Sequence, residues 1–370
     1  MQREVEQFLS RRKFLKYGGL ATSALVLTAS CSPTAKTSTV ATTETATTPQ
    51  SALTSATATG TGTKIRVGYQ TGDINNITMV AAKNRYFEKV GLNAELAPYS
   101  SGAAMIPALA SGEVDITWFF PFPSLAAYAK GIPIEVVLLD QEQGAAERLL
   151  ARKTVADLSG LKGKTVGVTF GTSGNYSLLA ALKQANLGAS DVTLVNLKPS
   201  EMVAAFSAGK IDAAWTWEPA AGKLNDLGAK NLATSKSVGT LAVALWAVRK
   251  AFAEANPDTM TKFVEAWDLA QQDYLANPAA GQKWEAERLG LSAKEFGALV
   301  DRQSAIVIPV KDQLSNRWLG EPGKAVDTDL YKAYRKYAAF LVEQGRLDKI
   351  PENLAPLINS SYVANYLKKG

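Results

Sequence analysis

Lys164-Thr165-Val166-Gly167-Val168-Thr169-Phe170-Gly171-Thr172-Ser173-Gly174-Asn175-Tyr176 is the stretch on which the fold reading turns. A short β-branched run ends in a turn of Gly, Thr and Ser, and a Leu- and Ala-rich segment with helical spacing follows over 176–185. The pattern predicts a strand, a tight loop and a helix N-terminus. Small residues there let the backbone approach a ligand, hydroxyls add donors, and the free amides of a first helical turn favour an anion. Thr172, Ser173, Gly174, Asn175 and Tyr176 are therefore candidates to hold the acidic end of a small solute. The alternative is a plain turn in which Thr172 or Ser173 only caps the helix.

The same rhythm extends in both directions. Upstream, strands are expected at 64–70, 94–98, 114–118 and 134–140. Between them fall a helix from 74 or 75 to 86 continued by 87–90, a second helix over 103–110 started by Ser100-Ser101-Gly102, and a third over 124–130 after a loop at 119–123. Downstream, strands at 192–196 and 211–216 alternate with a helix at 201–208 and another beginning at Trp217-Glu218-Pro219-Ala220. Gly209-Lys210-Ile211-Asp212-Ala213 echoes Gly112-Glu113-Val114-Asp115-Ile116: a helix ends in glycine, then a charge, an apolar residue and an aspartate lead into a strand. Such an echo about one lobe apart predicts two similar α/β lobes, with Asp115 and Asp212 structural. After a strand at 245–250 the chain reads as helical over 251–255, 259–276, 279–289, 293–305, 329–344 and 354–367. The expected division is 64–153 with 241–370 as lobe 1 and 154–240 as lobe 2, hinged near 147–153 and 239–243. Open α/β sheets take ligands at the carboxyl ends of their strands. That adds Gln70, Thr71, Asp73, Ser101, Gly102, Trp118, Phe120, Phe122, Trp215, Trp217 and Glu218 as candidate contacts.

Composition narrows the chemistry. The 370 residues are 46% apolar, carry a net charge of +6, and include one cysteine, Cys31, and no histidine. A disulfide framework, His-based triads and His-ligated zinc are excluded. Residues 1–16 hold five Lys or Arg against two Glu, and no basic patch interleaved with aromatics follows, so nucleic acid is not an expected partner. Ser10-Arg11-Arg12-Lys13-Phe14-Leu15-Lys16 precedes a short apolar run, which is the pattern of an export signal too short to span a bilayer. Its paired arginines are similar to the twin-arginine signal. Thr28-Ala29-Ser30-Cys31 resembles a lipobox, making Cys31 a candidate lipidation site and 1–31 a cleaved signal. Residues 32–63, almost wholly Thr, Ser, Ala and Gly, are expected to be a flexible tether.

Several stretches together carry a family likeness. Ser101-Gly102-Ala103-Ala104 with Ala108-Leu109-Ala110-Ser111-Gly112, Ile132-Pro133-Ile134-Glu135-Val136, Tyr176-Ser177-Leu178-Leu179-Ala180-Ala181-Leu182, Val195-Asn196-Leu197, Ile211-Asp212-Ala213 and Trp246-Ala247-Val248-Arg249-Lys250 resemble the nitrate, sulfonate and taurine group of ABC-transporter substrate-binding proteins. The likeness covers roughly 65–278. It implies a type II periplasmic binding fold: a monomer without cofactor or metal that closes on a small anionic solute and passes it to a permease with its ATPase. It implies no enzyme, and an exported location, membrane-anchored if Cys31 is lipidated. Two positions depart from the pattern. Ala244 stands where taurine-binding members have an aspartate for the ligand amine. Trp118 to Pro123 replaces a Gly/Ser-rich segment with aromatic surface, which suits an alkane or aromatic sulfonate; Glu218 or Asp73, with the π face of Trp215 or Trp217, is then the expected partner of any cationic end. Nitrate or a thiamine-precursor pyrimidine are the alternative solutes. A pyrimidine synthase of similar fold is the alternative enzyme, which the absence of histidine disfavours.

Overall fold

The computed structural model describes residues 62–71, 74, 76–99, 102–303 and 305–369, all within one compact unit. The expected signal, tether and Cys31, together with Asp73, Ser100 and Ser101, lie outside the described residues.

The chain lays down β1 (Thr63–Gln70), β2 (Leu92–Tyr99), β3 (Ile116–Phe119) and β4 (Ile134–Glu142), then β5 (Arg148–Ala151), β6 (Thr165–Val168), β7 (Thr193–Asn196), β8 (Ala213–Thr216) and β9 (Lys230–Thr234), and returns with β10 (Val243–Arg249) and β11 (Ile306–Val307). Two sheets result, ordered β11-β4-β10-β3-β1-β2 and β7-β6-β8-β5-β9. In the first, β1 runs parallel to β2 and β3, and β10 is antiparallel to β3 and β4. In the second, β6 runs parallel to β7 and β8, and β5 is antiparallel to β8 and β9. The plan is therefore repeated, and each sheet's antiparallel fourth strand is one that has just crossed from the other sheet.

The sequence echo has a backbone cause. Asp115 Oδ2 accepts the Arg66 amide at 3.1 Å while the Asp115 amide donates to the Arg66 carbonyl at 2.9 Å. Asp212 does the same with Thr165, at 2.9 and 2.8 Å. Each aspartate closes the start of a parallel strand pair, where ladder amides would otherwise lack partners. Each carbonyl then accepts the amide of an arginine, Arg249 and Arg152, at 2.9 Å.

The helices are α1 (Asn76–Lys83), α2 (Tyr86–Lys89), α3 (Gly102–Ser111), α4 (Pro121–Ala129), α5 (Ser173–Gln184), α6 (Pro199–Ser207), α7 (Ala220–Asp226), α8 (Lys250–Ala255), α9 (Pro257–Ala276), α10 (Pro278–Leu289), α11 (Ala293–Gln303), α12 (Asp329–Glu343) and α13 (Ser361–Leu367). Four expectations are corrected. The first helix breaks at Arg85, whose φ is 57°, because Asn84 and Tyr86 both donate to Asp273 Oδ2 on α9. The loop at 119–123 is already helical from Pro121, since proline is tolerated in a first turn. The last helix begins only at Ser361, after a 3₁₀ turn at Ala355–Leu357 and a bridge from Ile358 to Val136. Residues 148–151, within the 64–153 expected for lobe 1, form β5, an inner member of the second sheet, so the first crossing is 143–147. It lies beside the second crossing, tied by Gln143 N to Ala242 O at 2.7 Å and Lys236 N to Gly144 O at 2.8 Å.

The first sheet carries the larger core, where Trp246 meets Trp267 edge-on at 4.9 Å and Phe263 at 5.3 Å. The second has a smaller core on each face.

Candidate functional site

The β6–α5 turn uses its hydroxyls and amides for two purposes. Gly171 takes φ +74°, a conformation that disfavours side chains. Thr172 is the N-cap: its Oγ1 accepts the Asn175 amide at 3.3 Å and donates to the Thr169 carbonyl at 2.7 Å. Asn175 Oδ1 accepts the Gly171 amide at 3.2 Å. Capping is thus real, yet the amides of Ser173 and Gly174 are left without a partner among the described residues, as helix geometry requires. Gly174 is small for a packing reason, because a Cβ there would stand 2.8 Å from Trp215 Cδ1. The Ser173 hydroxyl donates to Glu147, whose other oxygen accepts from Ser235 at 3.1 Å. Burial pushes the Glu147 carboxyl above its ordinary range, and the hydroxyls of Ser173 and Ser235 and the indole N–H of Trp215 pull it part of the way back.

At the end of β8, Trp215 is fully buried and Trp217 half-buried. Glu218 is not free to meet a ligand amine. Its Oε1 accepts from Arg148 and from Arg302 Nε at 3.0 Å, and its Oε2 accepts the Gly222 amide at 2.9 Å. Arg148 comes from β5 beside the crossing and Arg302 from α11, so this ion pair joins the two halves of the unit. Around it, Arg148 Nε and Thr216 Oγ1, opposite one another across the β5–β8 pair, and Gln143 Nε2 at the first crossing are buried without a hydrogen-bond partner among the described residues, while the Trp215 indole is turned to the Glu147 carboxylate. A buried donor left unmade costs roughly 1–3 kcal/mol. These donors and the two free amides of α5 lie at the carboxyl end of the second sheet and the crossing beside it, and free amides at a helix start suit an oxyanion. That edge faces the first sheet's half: Tyr176 on α5 packs on Tyr337 at 5.0 Å, Phe340 at 5.3 Å and Phe122 at 6.1 Å.

The other half presents the carboxyl ends of β1, β3 and β4. Gln70 is buried, and Thr71 turns its hydroxyl onto the Tyr99 carbonyl at 3.3 Å while its own carbonyl accepts from Arg288 at 2.9 Å. Gly102 starts α3 against α4, where a Cβ would meet Pro123 Cγ at 2.8 Å. The three aromatics do not line the cleft together. Trp118 is buried with Nε1 on Asp140 Oδ2 at 2.8 Å, Phe122 is buried in the Tyr176–Tyr337–Phe340 cluster, and Phe120 alone stays partly exposed, edge-on to Trp118 at 5.1 Å. The second oxygen of Asp140 is buried and unpartnered, and desolvation pushes the carboxyl up to about 7. Ala244 sits in the bulge where β10 slips along β4 between Glu142 and Leu139, so Asp140 is within the stretch of β4 that it faces. A carboxylate is therefore present one strand away from the position where the family resemblance led us to expect one.

Sequence reading did not pick out Gln143, Arg148, Thr216, Asp140 or Arg302. Only their unpaired atoms and ion pairs mark them, and these arise from contacts up to 154 residues apart along the chain.

Comparison with known proteins agrees with this architecture. The chain belongs to the NMT1/THI5 like family, whose model matches residues 75–281. It is similar to the taurine-binding periplasmic protein of Escherichia coli, with 33% identity over 306 residues covering 81% of this chain and 92% of that protein. Its fold is that of the periplasmic aliphatic sulphonate binding protein SsuA from Escherichia coli, at a TM-score of 0.68 and 21% identity over 82% of this chain and 99% of that one. A desulfurization enzyme, DszB, shares the fold at a TM-score of 0.62 and 15% identity, over 83% of this chain and 99% of that one.

Proposed function

We propose that the chain is the solute-capturing component of an ABC importer and that it closes on a small organic sulfonate. The observation that carries the reading is the donor set at the second sheet's edge: the amides of Ser173 and Gly174, without a partner among the described residues, at the same end of the sheet as the unpartnered Arg148 Nε and Thr216 Oγ1. Three sulfonate oxygens would satisfy several of these donors at once, and hydrogen bonds to a charged acceptor are the strong ones. The similarity to taurine- and sulfonate-binding proteins supports the same class. Closure then follows from a ligand that touches both halves and so favours the state in which they meet.

The opposite wall fits an amine. Asp140 would pair with an ammonium group through its unpartnered oxygen while the other keeps the Trp118 N–H, with Tyr274 the titratable neighbour on α9. Since its carboxyl is held near 7, this pairing strengthens as pH rises through that value. A melting-temperature panel of taurine, ethanesulfonate, benzenesulfonate, nitrate and a hydroxymethylpyrimidine at pH 6 and pH 8 tests both statements. Sulfonates should stabilise, and taurine should gain more between pH 6 and pH 8 than ethanesulfonate does.

The likeness to DszB makes catalysis on this fold conceivable, but it concerns the fold alone. Cys31 is the only cysteine and histidine is absent, so the described residues offer no thiol or imidazole for a nucleophile and its base. We further propose, from the sequence alone, export by the twin-arginine route and anchoring through a lipid on Cys31. Cys31→Ser should move the protein from the membrane to the soluble fraction; unchanged fractionation would refute the anchor.

A further inference from the structure

We infer a second anion site on the flank of the hinge, apart from the donor-rich cleft, that takes an amphiphilic organic anion. A cavity of about 350 Å³ opens where the second crossing meets α12. That volume is of the size that holds small organic molecules. Its walls divide by chemistry. Tyr176, Leu241 and Tyr337 give an apolar, partly aromatic floor, while Lys236, Lys332, Lys336 and Arg317 surround it with four cations.

The two carboxylates in the cavity are already engaged. Glu142 accepts from Arg317 at 2.8 Å, and Asp329 from Lys332 at 3.2 Å. Among the described residues, the ammonium groups of Lys236 and Lys336 have no ion-pair partner, whereas those of Lys332 and Arg317 do. Lys332 and Lys336 also stand one turn apart on the same face of α12, a spacing at which like charges repel. An anionic head between Lys236 and Lys336 would relieve that repulsion, and an aromatic or alkyl body would cover the tyrosine floor. Inorganic anions offer no such body and should bind far more weakly.

The position gives the site a consequence. Lys236 lies on the crossing that follows β9, and Lys336 on the helix packed against α4, so one occupant touches both halves across the hinge. A ligand that prefers the closed arrangement there must raise affinity in the cleft, and the cleft ligand must raise affinity here by the same factor.

The probe is 4-bromobenzenesulfonate, whose bromine reports its position by anomalous scattering in soaked crystals and whose binding is titrated calorimetrically in solution. A bromine in the cavity, over the floor that Tyr176 and Tyr337 form, is expected. In Lys236→Gln/Lys336→Gln that peak should disappear and the corresponding solution affinity fall about tenfold or more, with inorganic sulfate failing to compete. No bromine in this cavity of the wild type, or equal binding by the double variant, overturns the proposal. Bromine in the cleft is a separate peak, so failure of the cleft reading leaves this result readable.

Discussion

Glu218→Ala should cost the protein about 3–5 kcal/mol, the range for removing one partner of a buried ion pair. The Arg148 and Glu218 side chains are 6% and 2% exposed, so the mutation leaves a guanidinium buried beside an already unpartnered Arg148 Nε. It also removes the acceptor of the Gly222 amide in the first turn of α7. The melting temperature should fall on the order of 10 °C, measured by calorimetry without ligand. Arg302→Ala should cost no more than about 1 kcal/mol, because that side chain is 36% exposed and water screens its share of the pair. Replacing Arg148 and Glu218 together by Met and Leu should recover most of the loss, as a buried pair is often matched by apolar packing. If Glu218→Ala left stability unchanged but abolished taurine binding, Glu218 would be the amine receptor after all and the ion-pair account would be wrong.

The second large effect concerns the loop. Ser173→Trp should weaken sulfonate binding by about 100-fold, on the order of 2.7 kcal/mol, while leaving the fold intact. Position 173 is the first residue of α5, its side chain is only partly buried, and it points toward Glu147 rather than into a core. The indole would cover the two free amides without disturbing the cap, which belongs to Thr172 and Asn175. The contrast is Thr172→Ala, expected to lose about 1 kcal/mol of stability through the cap with a much smaller change in affinity. Calorimetric titration with the tightest sulfonate of the panel measures the first, and thermal melts the second. Unaltered affinity in Ser173→Trp would remove the loop from the site.

How much of this was readable beforehand depended on whether a feature was local. The β6–α5 turn announced itself because a strand end, a left-handed glycine and a hydroxyl cap are specified by neighbouring residues. The repeat of Asp115 in Asp212 was legible for the same reason: one aspartate holding the start of one strand pair leaves a five-residue trace. The lobe boundary at 153 falls too late because nothing within Arg148-Leu149-Leu150-Ala151 says which sheet it joins, and only its partners β8 and β9, some 65 and 80 residues on, decide the matter. The prolines at 121 and 123 read as a loop signal although they are compatible with a helix start. The engagement of Glu218 could not be seen at all, since Arg148 and Arg302 approach it from 70 and 84 positions away. Clustered aromatics such as Trp118 and Phe122 carry no sign of direction in the sequence, and Asp140 and the Tyr176 cluster turn these two inward.

The central claim, that the donor-rich edge of the second sheet binds a sulfonate, is tested most directly by titrating the purified protein with the sulfonate panel at pH 8 and following its melting temperature. At a ligand concentration 100 times Kd the gain should approach about 2.7 kcal/mol, and it should grow further with concentration. At least one sulfonate is predicted to stabilise the wild type and to lose that effect in Ser173→Trp. A protein indifferent to every sulfonate, or one stabilised only by the pyrimidine, would contradict the account.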